Sequence, residues 1–112
     1  MARINSSTFD FITLDGKTYN HDVYILTSGV VEPREHSHTF DRKQVEHILE
    51  GNPEVAMIEK GVHGYASLNQ KERELLEEKG IKIVEEKTGE IGDKFNRFSE
   101  NKKVAAIIHI TC

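Results

Sequence analysis

The residues with the strongest claim to chemistry form the stretch Lys60-Gly61-Val62-His63-Gly64. Its two glycines free the backbone for angles in which N–H groups can cradle an anion, while Lys60 supplies charge and His63 a proton near neutral pH. The stretch follows an apolar run and precedes a helical pattern, the place of a ligand crevice beyond the carboxyl end of a strand in an open α/β sheet. It lacks the full dinucleotide fingerprint and the Lys-Ser/Thr ending of a P-loop, so a tight turn that needs glycine for its angles is the preferred reading. Lys60, Gly61, His63 and Gly64 stand behind it as candidate ligand-binding residues.

Two further sets have suggestive types. His36 and His38, with His47, Glu32, Glu35 and Asp41, are the densest group of metal-ligating side chains. Alternate histidines on an extended segment point the same way, and imidazole with carboxylate suits zinc or a non-haem metal. No His-x-x-x-His spacing fixes them on a helix, so a solvated polar loop is expected and no metal site is assigned. His109 interrupts an apolar run shortly before Cys112. Alternation sends the two to opposite faces, against a thiol–imidazole pair, and His109 is expected to be buried and hydrogen-bonded to a neighbouring strand or loop. No catalytic residue and no cofactor follow from these patterns.

The elements that must position these residues are legible in order. Phe11 to Leu14, the pair Asp15-Gly16 and then Lys17 to Tyr19 read as a hairpin, because Asp-Gly favours the positive φ values of a type I′ turn. Residues 23–26 and 30–31 follow as strands. From Phe40 the period becomes helical: Asp41 can cap, Gln44 can return the bond, Phe40 can staple onto Val45, and Gly51-Asn52-Pro53 ends a helix over residues 42–50. Residues 55–58 form a strand. Asn69 and Glu72 repeat the capping spacing, Leu75 and Leu76 give the stripe, and Gly80 stops the second helix before a strand over residues 81–84. The Glu- and Lys-rich stretch from Lys71 to Lys87 reads as a solvated helix face. Thr88 can cap a third helix with Ile91, Phe95 and Phe98 on one face, and residues 104–110 form a strand apolar on both faces. Strands alternating with helices predict an α/β domain of three layers with a central mixed, largely parallel sheet and an N-terminal β-hairpin.

The chain has 112 residues, so one domain over residues 1–112 is expected. Fifteen Lys and Arg against nineteen Asp and Glu give a net charge of −4, with no basic block, which argues against nucleic acid as a partner. No apolar run approaches the length of a membrane span, the N-terminus lacks the apolar core of a secretory leader, and the single cysteine allows no internal disulfide. A cytoplasmic protein without membrane or nucleic-acid partners is the expectation.

The segment from Gly80-Ile81 through Thr88-Gly89-Glu90, then Phe95-Asn96 and the close from Val104 to Cys112, resembles a small family of unknown function. Its eukaryotic relatives include an adipogenesis-associated protein and a mitochondrial complex I assembly factor. Asp15-Gly16-Lys17-Thr18-Tyr19 followed by His21-Asp22-Val23 fits the same opening, so the resemblance runs over about residues 9 to 112. It implies a three-layer α/β fold with a central mixed sheet. The chain departs from the family in carrying Glu59-Lys60-Gly61 in place of a Gly-Thr-Gly turn, and in lacking a tryptophan near residues 32–34. Two functions are carried forward: a non-catalytic interaction or assembly-type module, with a protein partner or self-association, and a protein binding a small anion or nucleotide, or a small enzyme, that uses residues 60–64. Phe9, Phe11, Tyr19 and Tyr24 are the aromatic residues from which the first would draw a contact surface.

Overall fold

The computed structural model describes residues 2–35, 37–64 and 66–110. The chain opens with β1 (Ile4–Thr8), β2 (Phe11–Leu14) and β3 (Lys17–Tyr19), which pair antiparallel in that order. Asp15 and Gly16 take φ of 50° and 81°, the geometry expected of the Asp-Gly turn between β2 and β3. Beside them, β4 (Val23–Ile25) pairs antiparallel with β5 (Val31–Pro33) across a short turn. The two-residue strand β6 (Thr39–Phe40) leads into α1 (Arg42–Leu49), where the Asp41 carboxylate accepts the Gln44 N–H at 3.1 Å. Gln44 does not return that bond. Its side chain instead accepts from Arg34 and donates to the Thr39 carbonyl.

The strand β7 (Val55–Lys60) runs two residues beyond the expected stop at Ile58, because its parallel pairing with β10 (Val104–His109) continues to the opposition of Lys60 and His109. Between them the chain forms β8 (Ser67–Leu68), α2 (Gln70–Glu78), β9 (Lys82–Glu86) and α3 (Gly92–Asn101). Gly80, at φ 73°, closes α2 with the Ile81 N–H donating to Leu76, as its position after the helix requires. Thr88 does not cap α3. Gly89, at φ 92°, turns the chain between them, and the residue preceding the helix is Ile91, which is buried rather than capping.

The central sheet has the order β5-β4-β10-β7-β9. It is mixed rather than largely parallel: β10–β7 and β7–β9 are parallel, β10–β4 and β4–β5 antiparallel. The parallel junctions join strands that helical crossovers connect, whereas β4 and β5 are joined by a short turn that reverses direction. β10 is the middle strand, and all six of its residues are buried. Its Val104, Ala106 and Ile108 face a core shared with Ile12 and Leu14 of the N-terminal sheet and Phe95 of α3. Ala105 and Ile107 face a second core with Val45 and Ile48 of α1 and Leu76 of α2. The sheet therefore separates two apolar layers. Among the described residues no helix is long and apolar enough to cross a membrane.

Candidate functional site

The carboxyl ends of β7 and β10 carry an unusual concentration of buried charge. Glu59 and His109 occupy adjacent strands but opposite faces, since Glu59 pairs in register with Ile108, and His109 with Lys60. On the α1 side, His109 Nδ1 lies 2.7 Å from Asp22 Oδ2, and the same oxygen accepts from Arg34 Nη1 at 2.7 Å. The other Asp22 oxygen accepts the Ile110 N–H at 3.0 Å. The side chains of Asp22 and His109 are 1% and 2% exposed, and that of Arg34 0%. Asp22 immediately precedes β4 and Arg34 immediately follows β5, so the β4–β5 pairing brings them together, and the Arg34 N–H donates to the Asp22 carbonyl.

Arg34 spends its remaining donors within the chain, on Gln44 Oε1 at 2.7 Å and on the carbonyls of Ser37 and Thr39 at 3.0 and 2.9 Å. Its guanidinium also lies over the Phe40 ring. Burial lowers its pKa from the ordinary value while Asp22 pulls it back, and a guanidinium starts high enough to stay charged. His109 donates through Nδ1 to the carboxylate, the tautomer that makes a histidine a base at Nε2 in hydrolytic sites. Here that ring is enclosed: His38 and Phe40 meet it edge-on, and a Cβ on Gly61 would stand 3.0 Å from its Cδ2. The arrangement acts as a compensated strut that binds the ends of β4, β5 and β10 together.

On the opposite face, Ser7 of β1 donates to Glu59 at 2.8 and 2.9 Å, and Thr88 adds a side-chain hydrogen bond. Burial pushes the Glu59 carboxyl up to about 8, against the hydrogen bonds from Ser7 and Thr88, so it is a neutral acid at pH 7. It pins the N-terminal sheet to the central one.

The candidate residues of the 60–64 segment divide. Lys60 is the last residue of β7 rather than a loop residue, with its ammonium 3.9 Å from Glu85, which also holds Arg73 at 2.6 Å. Gly61 and Gly64 take φ of 88° and 71°, the angles that made glycine necessary there. Gly61 is buried, His63 is exposed, and the Gly61 carbonyl accepts the Thr88 N–H at 3.1 Å, tying this turn to the one after β9. The histidines at 38 and 47 are not brought to one centre: His38 meets His109, whereas His47 Nε2 lies 2.6 Å from Glu32 on the outer part of the sheet. His36 and Cys112 lie outside the described residues.

The aromatic residues of the N-terminal segment also divide. Tyr24 turns to the α1 side and meets His47 edge-on, and Tyr19 packs against the core with Ile12 and Leu14. Phe9 and Phe11 remain 49% and 52% exposed at the β1–β2 turn. That turn is held at the carboxyl end of β10 by the Asp10 N–H donating to Ile110.

A family model described as protein of unknown function (DUF498/DUF598) matches residues 4–109. A conserved hypothetical protein from Pyrococcus horikoshii OT3 is 27% identical, with a TM-score of 0.80 over 98% of this chain and 99% of that one. A protein named MT938 is 26% identical, with a TM-score of 0.78 over the full length of both chains. An outer membrane protein from Bartonella henselae, 22% identical, shares the fold at a TM-score of 0.82 over 99% of this chain and 96% of its own. No curated protein matches the chain.

Proposed function

Because this chain belongs to that family of proteins of unknown function, we propose from its own surface that it is a non-catalytic interaction module of the cytoplasm whose contact with a protein partner centres on Phe9 and Phe11. The observation that carries this reading is the exposure of both rings, 49% and 52%, beside strand neighbours Ile12 and Leu14 that are fully buried. Aromatic side chains bring large apolar area to an interface with little rotamer entropy to lose. The Asp10 to Ile110 hydrogen bond and the Ser7 to Glu59 contact hold the turn in place before a partner arrives, which lowers the cost of binding. The enclosure of the His109–Asp22 pair supports a structural role for the polar cluster. Resemblance to a family with a complex I assembly factor and an adipogenesis-associated protein among its eukaryotic relatives supports an assembly-type role.

The test is co-purification from the native host with wild type and with the Phe9→Ser, Phe11→Ser variant. One defined partner that is lost from the variant, with unchanged melting temperature, supports the reading. Equal recovery by both chains overturns it.

A second reading rests on a separate observation, the clamp between the turn after β7 and the turn after β9 through Thr88 and Gly61. The chain leaves those two strands toward helices on opposite faces, the arrangement at which open α/β sheets take ligands. In this reading Lys60, Gly61, His63 and Gly64 receive a small anion or nucleotide. Saturable binding of inorganic phosphate or a nucleotide that raises the melting temperature, and that Lys60→Ala or His63→Ala abolishes, supports it. Melting curves unmoved by these anions overturn it.

A further inference from the structure

The outer edge of β9 carries a charge pattern that is its own complement. β9 ends the five-stranded sheet. Along it Lys82, Val84 and Glu86 alternate onto the α3 face, and Ile83 and Glu85 onto the α2 face. We propose that a second copy of this chain pairs antiparallel with β9 about a two-fold axis through Val84, joining the two central sheets into one. In that register Lys82 faces Glu86 of the partner subunit, Val84 meets its own counterpart, and the pairing repeats with the roles reversed. On the other face Ile83 lies opposite Glu85, whose carboxylate is held by Arg73 and Lys60 within its own chain.

Neighbouring registers that keep the faces matched are worse. Moving the axis to Ile83 places Lys82 opposite valine, and moving it to Glu85 places two Glu85 carboxylates opposite each other, a destabilising like-charge pair. A charged edge strand discourages pairing with unrelated strands. This edge accepts an antiparallel partner with an acid four residues after a base, which β9 itself provides.

A groove of about 590 Å³ between β9 and α3 is lined by Lys82, Lys94, Arg97 and Lys102 over Val84 and Phe98, with Glu100 as its one carboxylate. Lys94 already pairs with Glu86, and in the dimer that carboxylate lies between Lys94 and Lys82 of the partner subunit. A two-fold dimer is the commonest closed assembly. Five paired residues and the flanking groove give an interface at the small end of the specific range, so the association is reversible.

Sedimentation velocity over a concentration series reads the proposal through a charge exchange, comparing wild type with Lys82→Glu, Glu86→Lys and the double variant. Wild type forms a species of twice its 12.8 kDa mass. Each single exchange sets like charges opposite each other and weakens the dimer at least tenfold, and the double exchange restores it. The Phe9→Ser, Phe11→Ser variant dimerises like wild type. Hydrogen exchange of wild type adds a readout without substitution: the β9 amides exchange more slowly as concentration rises. A wild type that stays monomeric to hundreds of micromolar, a dimer indifferent to the single exchanges, or β9 amides insensitive to concentration overturns the proposal.

Discussion

Replacing Glu59 by glutamine removes a buried titration while keeping the shape and polarity of the neutral acid. Burial raises this carboxyl from the ordinary 4.5 to about 8 in the folded chain. Between those values the unfolded chain gives up the proton and the folded chain keeps it, so stability falls as pH rises. The contribution is fully present below pH 4.5 and is lost once pH has passed 8. At roughly 1.4 kcal/mol per pH unit the whole span is worth about 5 kcal/mol, of which about 3 kcal/mol is already gone at pH 7. Glutamine still accepts from Ser7 and has nothing to ionise. Denaturant unfolding of both chains at intervals from pH 4.5 to 8.5 isolates Glu59, because every other titrating group is common to both. The Glu59→Gln chain is expected to gain on wild type by about 3 kcal/mol between pH 4.5 and 7, and to gain further up to pH 8. Parallel stability curves would show that the Glu59 carboxyl is not raised in the folded chain.

Asp22→Asn takes the countercharge from an Arg34 guanidinium that is 0% exposed, and unfolding experiments should register a loss of about 3 to 5 kcal/mol. In the middle strand, Ile107→Asp should leave little soluble folded protein, whereas Ile107→Val should cost about 1 kcal/mol by calorimetry. Gly61→Ala meets both a φ of 88° and a contact of 3.0 Å to His109, so it should cost about 2 kcal/mol or more. Gly80→Ala, at φ 73° in open space, should cost about 1 kcal/mol, and equal losses at the two glycines would show that the His109 contact is not felt.

Turns and stops written in local pattern were more legible than pairings set from a distance, although two local caps failed: Asn69 donates to the Glu72 side chain instead of capping α2, and Ile91 rather than Thr88 precedes α3. Asp15-Gly16, the Asp41 cap and the stop at Gly80 each depend on a few neighbouring atoms, and each stands where its residues placed it. The strand β1 offers one strong hydrophobe, Ile4, and a register shift between Ile4 and Ser6 breaks its alternation, so that Ile4 and Ser7 both point inward. β6 and β8 are two residues each, too short for any period. Glu59 was hidden because a charged residue after four apolar ones reads as the end of a strand. His109 was recognisable as a polar residue in an apolar run that needs a partner, but Asp22, 87 positions away, is brought to it by the pairing of β4 with β10. The available signal was an acid directly preceding an apolar strand. Phe9 and Phe11 were visible as aromatics, yet only the packed structure separates them from Tyr19 and Tyr24, which turn inward.

Site-specific photocrosslinking in the native host tests the interaction reading most directly. A photoreactive phenylalanine analogue at Phe11 keeps the ring and its 52% exposure, and the same analogue at Glu77, exposed on α2 across the central sheet, serves as the control. On the interaction reading, position 11 gives one discrete protein adduct and position 77 gives none. Absence of an adduct at position 11, or the same pattern from both positions, would contradict it.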